Sequence, residues 1–175
     1  MLRYVSWAVI GVALLLSAAL FGFFYAWVCS TMWGLDTLDP RIAIAAMQAM
    51  NGSVRNAVFA PVFFGTPIAL LLAVGVAYVQ GARGAAAAFG LSAALTGLGG
   101  VVLTMVVHVP MNQGLAVIAI PDDLPAAAEI WTEYSPVWQV WNIIRTVFCG
   151  LAFVLALVGT VQTVRHQSGS GLSAN

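Results

Sequence analysis

The 175-residue sequence carries very little charge, and none of it comes from lysine. Only 7% of the residues are charged, whereas a soluble domain carries about a quarter. The six arginines are balanced by six acidic residues, so the net charge is zero. Because a basic face is what a nucleic acid would require, this composition excludes a nucleic-acid-binding function.

Cysteine is scarce as well. The two cysteines, Cys29 and Cys149, show neither the spacing of a metal site nor that of a disulfide framework. We interpret them as small apolar residues within helices. The sequence therefore predicts no metal ligands among the cysteines.

Apolar residues are abundant, at 62% of the chain, and they occur in long runs. A membrane-spanning helix needs about 20 apolar residues. Four segments supply them: residues 4–29, 58–79, 85–108 and 137–164. The prediction is an all-α integral membrane four-helix bundle, a single domain over residues 1–167 with a disordered tail at 168–175. Its partner is the lipid bilayer.

The first of these runs resembles a signal peptide only at its start. Between Arg3 and Asp36 no charged residue occurs, and this stretch far exceeds an apolar signal region of about 7–15 residues. We therefore expect a retained first span.

The arginines predict the orientation. Arg3, Arg83 and Arg165 fall on one side of the predicted spans, and every acidic residue falls on the other. By the positive-inside rule we expect a bacterial inner (plasma) membrane protein with both termini in the cytoplasm. The loops after spans one and three are then extracytoplasmic.

Each of these two outer loops is expected to contain a short extra helix. Asp39 before Pro40 is a favourable N-cap and first-turn pair, and residues 40–50 carry a helical apolar face. The second helix is expected around residues 125–134.

Arg145 is the most informative polar residue in the predicted spans. Counted from Pro136, it lies about 13 Å into the fourth helix, where an arginine costs about 2–3 kcal/mol. Two arrangements remain open: the guanidinium points into the bundle, or it reaches the outer headgroups beside Trp138.

Further polar residues flank the membrane on the same outer side. Pro110 disfavours helix at Val109, so a kink is expected after His108. Eight residues are expected to converge on one outer pocket: Gln48, Asn51, Arg55, Asn56, His108, Asn112, Asn142 and Arg145. Such a cluster implies mutual hydrogen bonding, a ligand, or both.

At these residues the chain resembles the DUF1772 family, which includes the fungal anthrone oxygenases and many bacterial membrane proteins. Three stretches carry the resemblance: Phe23 to Trp27 continuing through Ala45 to Asn51; Val54-Arg55-Asn56 with Phe59, Phe63, Phe64 and Gly65; and Val109-Pro110-Met111-Asn112 with Trp138, Trp141-Asn142 and Arg145-Thr146-Val147. The chain departs from the family at Trp33, where proline is common, and at His108, where asparagine is common.

The resemblance implies an oxygenase without an organic cofactor that acts on a hydrophobic polycyclic phenol. The carbanion of an anthrone reacts with oxygen directly, so the protein needs a base, oxyanion donors and a dry pocket. In this chain the resemblance makes His108 the base and makes Arg145, Asn112 and Asn142 the donors. Substrate-binding residues are then Gln48, Asn51, Arg55 and Asn56, with Trp141 and Tyr25 as stacking walls.

Other functions remain open at this point. A non-catalytic membrane protein or accessory subunit that holds a lipid, a quinone or another small amphiphile has the same features. A metal enzyme would have to use His108 with the outer carboxylates Asp122, Asp123, Glu129 and Glu133, no two of which lie at ligand spacing on one helix. No internal repeat supports a transporter, and a homo-oligomer is compatible with the sequence.

Overall fold

In a computed structural model, which describes the backbone of residues 2–172 and the side chains of residues 4–169, the chain is almost entirely helical. The helices are α1 (Leu2–Ala26), α2 (Met32–Asp36), α3 (Pro40–Ser53), α4 (Phe59–Val79), α5 (Arg83–Leu95), α6 (Val109–Ala116) and α7 (Leu124–Leu172). Turns of π-helix at Trp27–Thr31, Thr96–Val102 and Thr104–His108 connect α1 to α2 and α5 to α6. No strand occurs over residues 2–172, which confirms the all-α prediction.

Four helical stretches are long and apolar enough to cross a bilayer: Tyr4–Asp36, Phe59–Val79, Arg83–Ala116 and Leu124–Gly169. Large apolar side chains cover their outer faces, including Leu15 at 70% exposure and Val106 at 67%. Water would not tolerate so much exposed apolar surface, whereas lipid does. The chain is therefore a multi-pass membrane protein.

The sequence predicts that the third span ends at His108. In the structure its helix continues through Pro110 to Ala116. Pro110 lies in the first turn of α6, directly after the π-turn Thr104–His108. A π-turn rearranges the backbone hydrogen bonds that a proline would otherwise break. The helix thus continues past the proline with a π-turn directly before it, where the sequence predicts an end.

The fourth span is longer than predicted, because α7 contains 49 residues and passes through Pro136. The short helix expected at 125–134 is therefore the first part of α7 and not a separate element. The tail prediction also needs correction: residues 168–172 are helical, and residues 173–175 lie outside the described part of the chain.

One side chain explains why α7 remains continuous around its proline. The carboxylate of Asp36, at the end of α2, accepts hydrogen bonds from Trp131 Nε1 at 3.0 Å, Ser135 Oγ at 2.7 Å and Gln139 Nε2 at 2.9 Å. These donors lie on both sides of Pro136 along α7. Asp36 thus holds two turns of the helix against α2.

The predicted helix of the first outer loop is confirmed as α3. Asp39 Oδ1 accepts a hydrogen bond from the backbone N–H of Arg41 at 2.9 Å, so Asp39 caps the helix. Hydrogen bonds from Arg41 also lower the pKa of Asp39, and Arg41 Nη1 donates to the carbonyl of Asp122 at 2.9 Å. This arginine therefore connects the two outer loops.

Packing of α2, α3 and α6 against α7 forms one end of the molecule, the end that the arginine pattern predicts to be extracytoplasmic. Its buried apolar cluster includes Met32, Ile44, Met47, Leu115 and Trp138. The opposite end is closed by Gln80, which contacts Ser6 and Gln167 through its amide and His166 through its backbone carbonyl, at 2.6 to 2.9 Å. The start of span one, the α4–α5 turn and the end of span four therefore meet at one end, as the arginine pattern predicts.

Spans three and four approach each other closely at Gly99. A Cβ atom at this position would lie 2.2 Å from Cγ of Phe148, whereas one at Gly97 would meet nothing within 4 Å. About two turns before Gly99, Ser92 Oγ donates across the same interface to the carbonyl of Ala152 at 2.7 Å. Small residues permit such close approach of helix backbones in lipid.

We predict that Gly99→Ala destabilises the folded protein by about 1–3 kcal/mol, because the added methyl group overlaps the Phe148 ring and forces it to move. Gly97→Ala is the matched control on the same helix and should leave stability unchanged or slightly raised. Thermal unfolding of the three proteins in one detergent measures the difference. Equal melting temperatures for Gly99→Ala and Gly97→Ala would contradict this packing.

Candidate functional site

A cavity of about 580 Å³ lies toward the end of the bundle that carries α2, α3 and α6, far from Gln80. It is bounded by the end of α1, the α3–α4 connection, the start of α4, the π-turn before α6, and α7. Its aromatic walls include Phe23, Phe24, Trp27, Phe59, Phe63 and Trp138. Volume and apolar lining are typical of a small-molecule site with a few fixed polar groups.

Arg145 reaches this cavity from α7 and is only 5% exposed. Its Nε donates a hydrogen bond to Asn142 Oδ1 at 2.8 Å, and its Nη1 donates to Thr104 Oγ1 at 3.2 Å. The guanidinium carbon lies 4.1 Å from the centre of the Phe24 ring. The guanidinium therefore points into the bundle, and the alternative of an arginine reaching the outer headgroups is wrong.

The charge of Arg145 has no acidic partner among the described residues. Among the described residues the ion pair that forms is Arg41 with Asp39, in the outer loop. Arg145 instead contacts neutral oxygens and the faces of Phe24 and Trp138, the latter at 5.2 Å. Cation–π contacts and hydrogen bonds offset part of the desolvation cost. Its Nη2 makes no hydrogen bond to a described residue and remains available to an oxygen of a ligand.

The position of Arg145 is set by its partners. Asn142 is 1% exposed and donates its own amide to the carbonyl of Phe24 at 3.3 Å, which fixes the amide oxygen toward the arginine. Thr104, at the start of a π-turn, donates to the carbonyl of Gly100 at 2.7 Å. Both partners of the guanidinium are thus held by the backbone of another residue.

A second series of hydrogen bonds lies beside the cavity at the level of α6. Trp138 Nε1 at 3.0 Å and Tyr134 Oη at 2.8 Å both donate to Asn112 Oδ1. Asn112 Nδ2 then donates to Asn51 Oδ1 at 3.0 Å. Because an indole N–H can only donate, Asn112 must present its oxygen to Trp138 and its NH₂ group to Asn51. The direction of the whole chain is fixed by this tryptophan.

This series of hydrogen bonds ends at the side-chain amide of Asn51, whose N–H groups are not used. Asn51 is 7% exposed, and its Nδ2 makes no hydrogen bond of normal geometry within the described residues. A buried donor without a partner costs about 1–3 kcal/mol. The polar chain is therefore incomplete at its Asn51 end.

Five of the predicted site residues line the cavity together: Asn51, Arg55, Asn56, Asn112 and Arg145. Asn142 does not line it but orients Arg145 from behind. The prediction of one outer polar pocket is in this respect close to the observed arrangement.

Asn56 lines the cavity, but its side-chain amide is already used. Its Oδ1 accepts hydrogen bonds from the backbone N–H groups of Val58 at 2.8 Å and Phe59 at 2.9 Å, and its Nδ2 donates to the Ser53 carbonyl at 2.7 Å. This arrangement satisfies N–H groups at the start of α4. Asn56 therefore shapes the cavity wall through the backbone.

Gln48 lies outside the cavity. Its Nε2 donates to the carbonyls of Leu115 at 2.8 Å and Ile118 at 3.1 Å, at the end of α6. The amide thus fastens α3 to the end of α6, and the predicted contact with substrate is not supported.

Tyr25 and Trp141 do not form the stacking walls that the resemblance implies. Tyr25 is 50% exposed and Trp141 is 37% exposed, and neither lines the cavity. Each lies beside a residue that does, since Tyr25 follows Phe24 and Trp141 lies one turn after Trp138. Tyr25 points about 100° away from Phe24 around the helix, and Trp141 points about 60° away from Trp138. In a helix that is apolar all round, the sequence pattern does not distinguish such positions.

His108 is also placed differently from its predicted role as base. It is 1% exposed, and its ring meets Trp138 edge-to-face with centroids 5.2 Å apart. Neither ring nitrogen makes a hydrogen bond of normal geometry to a described residue, and His108 is absent from the cavity wall. The imidazole therefore lies behind the indole and has no direct access to a ligand in this conformation.

The described residues contain no group of three His, Cys, Asp or Glu side chains placed to hold a metal ion. The outer carboxylates have other environments: Asp123 Oδ2 accepts from the N–H of Ala126 at 3.1 Å near the start of α7. Sequence reasoning missed Asp36, whose three donors lie about 100 positions away in the chain and leave no local signal.

The comparisons with known proteins bear on this site directly. The profile of the anthrone oxygenase family matches residues 56–155, which is more than half of the chain.

The chain belongs to the anthrone oxygenase family.

The matched segment runs from the start of α4 into α7 and includes Asn112, Asn142 and Arg145. Asn51 and Arg55 lie just before it. No curated protein matches the chain, and no solved structure matches it.

We predict that Asn112→Leu destabilises the protein by about 2–4 kcal/mol. The substitution leaves the buried Trp138 N–H, the Tyr134 hydroxyl and the Asn51 oxygen without the partner that Asn112 provides. Gln113→Ala is the matched control, because Gln113 is the next residue on the cavity wall and is exposed. Thermal unfolding followed by tryptophan fluorescence compares them. If Asn112→Leu has the same melting temperature as the parent protein, the hydrogen bonds of Asn112 do not contribute to stability.

Proposed function

We propose that this protein is a membrane-embedded, cofactor-independent oxygenase that binds a flat polycyclic phenol as its anion and lets molecular oxygen react with it. The observation that carries the proposal is Arg145, a cation with no acidic partner on the wall of an aromatic cavity. Membership of the anthrone oxygenase family supports the reaction class. We further propose a bacterial inner membrane location with both termini in the cytoplasm, which places the cavity toward the outer leaflet.

The proposed role of Arg145 is to stabilise the oxyanion. An anthrone that loses a proton from its central CH₂ group places negative charge on the oxygen of the opposite carbonyl group and on that carbon. A guanidinium in a site that excludes water stabilises such charge far better than it would in water. Nη2 is the donor for the oxyanion, while Nε and Nη1 are held by Asn142 and Thr104.

The reaction then balances without a further reductant. The carbanion transfers two electrons to O₂ as the new C–O bond forms, and the resulting peroxide takes up a proton. Loss of water from this hydroperoxide removes the second hydrogen of the carbon and leaves a C=O group. One O₂ thus converts the CH₂ group of an anthrone to the carbonyl of a quinone, with one H₂O released.

The first proton is proposed to leave to water at the cavity mouth. The ionisable groups on the described cavity wall are Arg55 and Arg145, neither of which is a carboxylate or an imidazole. His108 lies behind Trp138 and is given no role as base in this proposal. The site then acts by lowering the free energy of the anion and not by abstracting the proton.

We predict that Arg145→Gln lowers the rate of quinone formation about 10²–10³-fold, the usual effect of removing one oxyanion donor. Purified protein is mixed with 1,8-dihydroxyanthrone in detergent, and oxygen uptake and quinone absorbance are followed above the spontaneous rate. Arg165→Gln, at the opposite end of the bundle, is the matched control and should equal the parent. Melting temperatures confirm that both variants are folded.

Two results would overturn the proposal. The parent protein oxidises the anthrone no faster than buffer does, or folded Arg145→Gln is as fast as the parent. The first result, with stoichiometric binding of a lipid or quinone, would favour the non-catalytic binding protein.

We also predict that His108→Asn retains turnover within about threefold of the parent, since the imidazole is not on the cavity wall. Asparagine is of similar size and restores the residue that is common in the family. The same oxygen-uptake measurement applies. A loss of 10²-fold in folded protein would show that His108 is the base and that Trp138 moves to uncover it.

A further inference from the structure

The cavity carries two cations and no anion on its described walls. Besides Arg145, the ionisable residue that lines it is Arg55, in the connection between α3 and α4. Arg55 is exposed, and no described residue forms an ion pair with it. A ligand for this cavity therefore meets uncompensated positive charge at two places.

The two arginines lie at different depths. Arg145 contacts Thr104, and Asn112 lies eight positions further along the same span, or about 12 Å at the rise of a helix. Asn112 is bonded to Asn51, which precedes Arg55 by four positions. Arg145 thus marks the inner end of the cavity, and Arg55 marks its outer mouth.

The backbone that carries Arg55 is held in place from both sides. Its own N–H donates to the carbonyl of Gly52, and the next residue, Asn56, caps the start of α4. Asn51, one turn before Arg55, accepts a hydrogen bond from Asn112. The position of Arg55 at the mouth is therefore a feature of the fold, although its side chain is exposed.

We infer that Arg55 is a specificity-determining residue that binds a second acidic group of the substrate. The preferred ligand is then a flat polycyclic phenol with a carboxylate on a part of the ring system remote from the oxyanion that Arg145 binds. Aromatic walls between the arginines accept the ring system, and each end provides a cation for one acidic oxygen. This inference rests on the proposed function, because it takes the oxyanion to be bound by Arg145.

An anionic lipid offers the same oxygen chemistry through its phosphate. An arginine at the membrane interface binds either anion, so the test must separate the two sources.

Binding is measured without oxygen, so that no turnover occurs, by quenching of tryptophan fluorescence in an uncharged detergent. The probes are 1,8-dihydroxyanthrone and the same ring system with a 3-carboxylate. The proteins are the parent, Arg55→Gln, Arg55→Lys, Arg145→Gln, and Arg83→Gln as an exposed control from the opposite end. Each titration is repeated with phosphatidylglycerol added.

We expect the parent and Arg83→Gln to bind the carboxylate probe about tenfold more tightly than the probe without a carboxylate. This is the effect of about one charge-assisted hydrogen bond. Arg55→Gln should lose this preference and bind the neutral probe as the parent does. Arg55→Lys should keep most of the preference, since the charge remains.

Three outcomes would count against the inference. If both probes bind the parent through Arg145 and Arg55→Gln leaves the preference intact, the inference fails and the proposed function stands. If phosphatidylglycerol abolishes the preference, Arg55 is a lipid-phosphate site. If the parent binds neither probe, or Arg145→Gln binds both as well as the parent, the proposed function fails and this inference with it.

Discussion

The structure depends on how a buried guanidinium is accommodated at membrane depth. Arg145 sits in a bundle whose outer faces are apolar, and the described residues provide no carboxylate to neutralise it. Two oxygens and two aromatic faces surround it instead, from Asn142, Thr104, Phe24 and Trp138. Each of these contacts comes from a different turn or span. Holding one cation therefore constrains spans one, three and four at the same level.

Two of the three departures from regular α-helix occur beside the cavity. Trp27 begins one π-turn and Thr104 begins another, and both residues line the cavity. A π-turn inserts one residue into a helix and turns the side chains beyond it, and such turns are frequent at functional sites. Here the turn at Thr104 also lets the span continue through Pro110 to Asn112. The same irregularity thus supplies a partner for Arg145 and positions the polar chain above it.

Much of the fold follows from composition and short-range signals. Four apolar runs predict four spans, Asp39-Pro40 predicts the start of α3, and the arginines predict which helix ends meet. Two of the misplaced boundaries share a cause: a proline stops a helix in sequence reasoning, whereas the helices here continue through Pro110, which follows a π-turn, and through Pro136, beside which Asp36 contacts α7. In the site, polarity at membrane depth identified Arg145, Asn112 and Asn142. It did not reveal which aromatic faces inward, because Trp138 and Trp141 differ by less than a turn in helices that are apolar on every side.

The arrangement of charge suggests how the chemical work is divided between protein and substrate. A site that abstracts a proton from carbon needs a base in contact with the ligand, and the imidazole of His108 is separated from the cavity by Trp138. A site that stabilises an anion needs only a fixed cation in a pocket that excludes water. In the proposed function Arg145 is that cation. Ring systems with an acidic C–H carry the remaining reactivity themselves, since their anions reduce oxygen without help. Under the proposed function, a small bundle with few polar residues is sufficient, because the protein then has to select and hold the anion and not to create the reactive group.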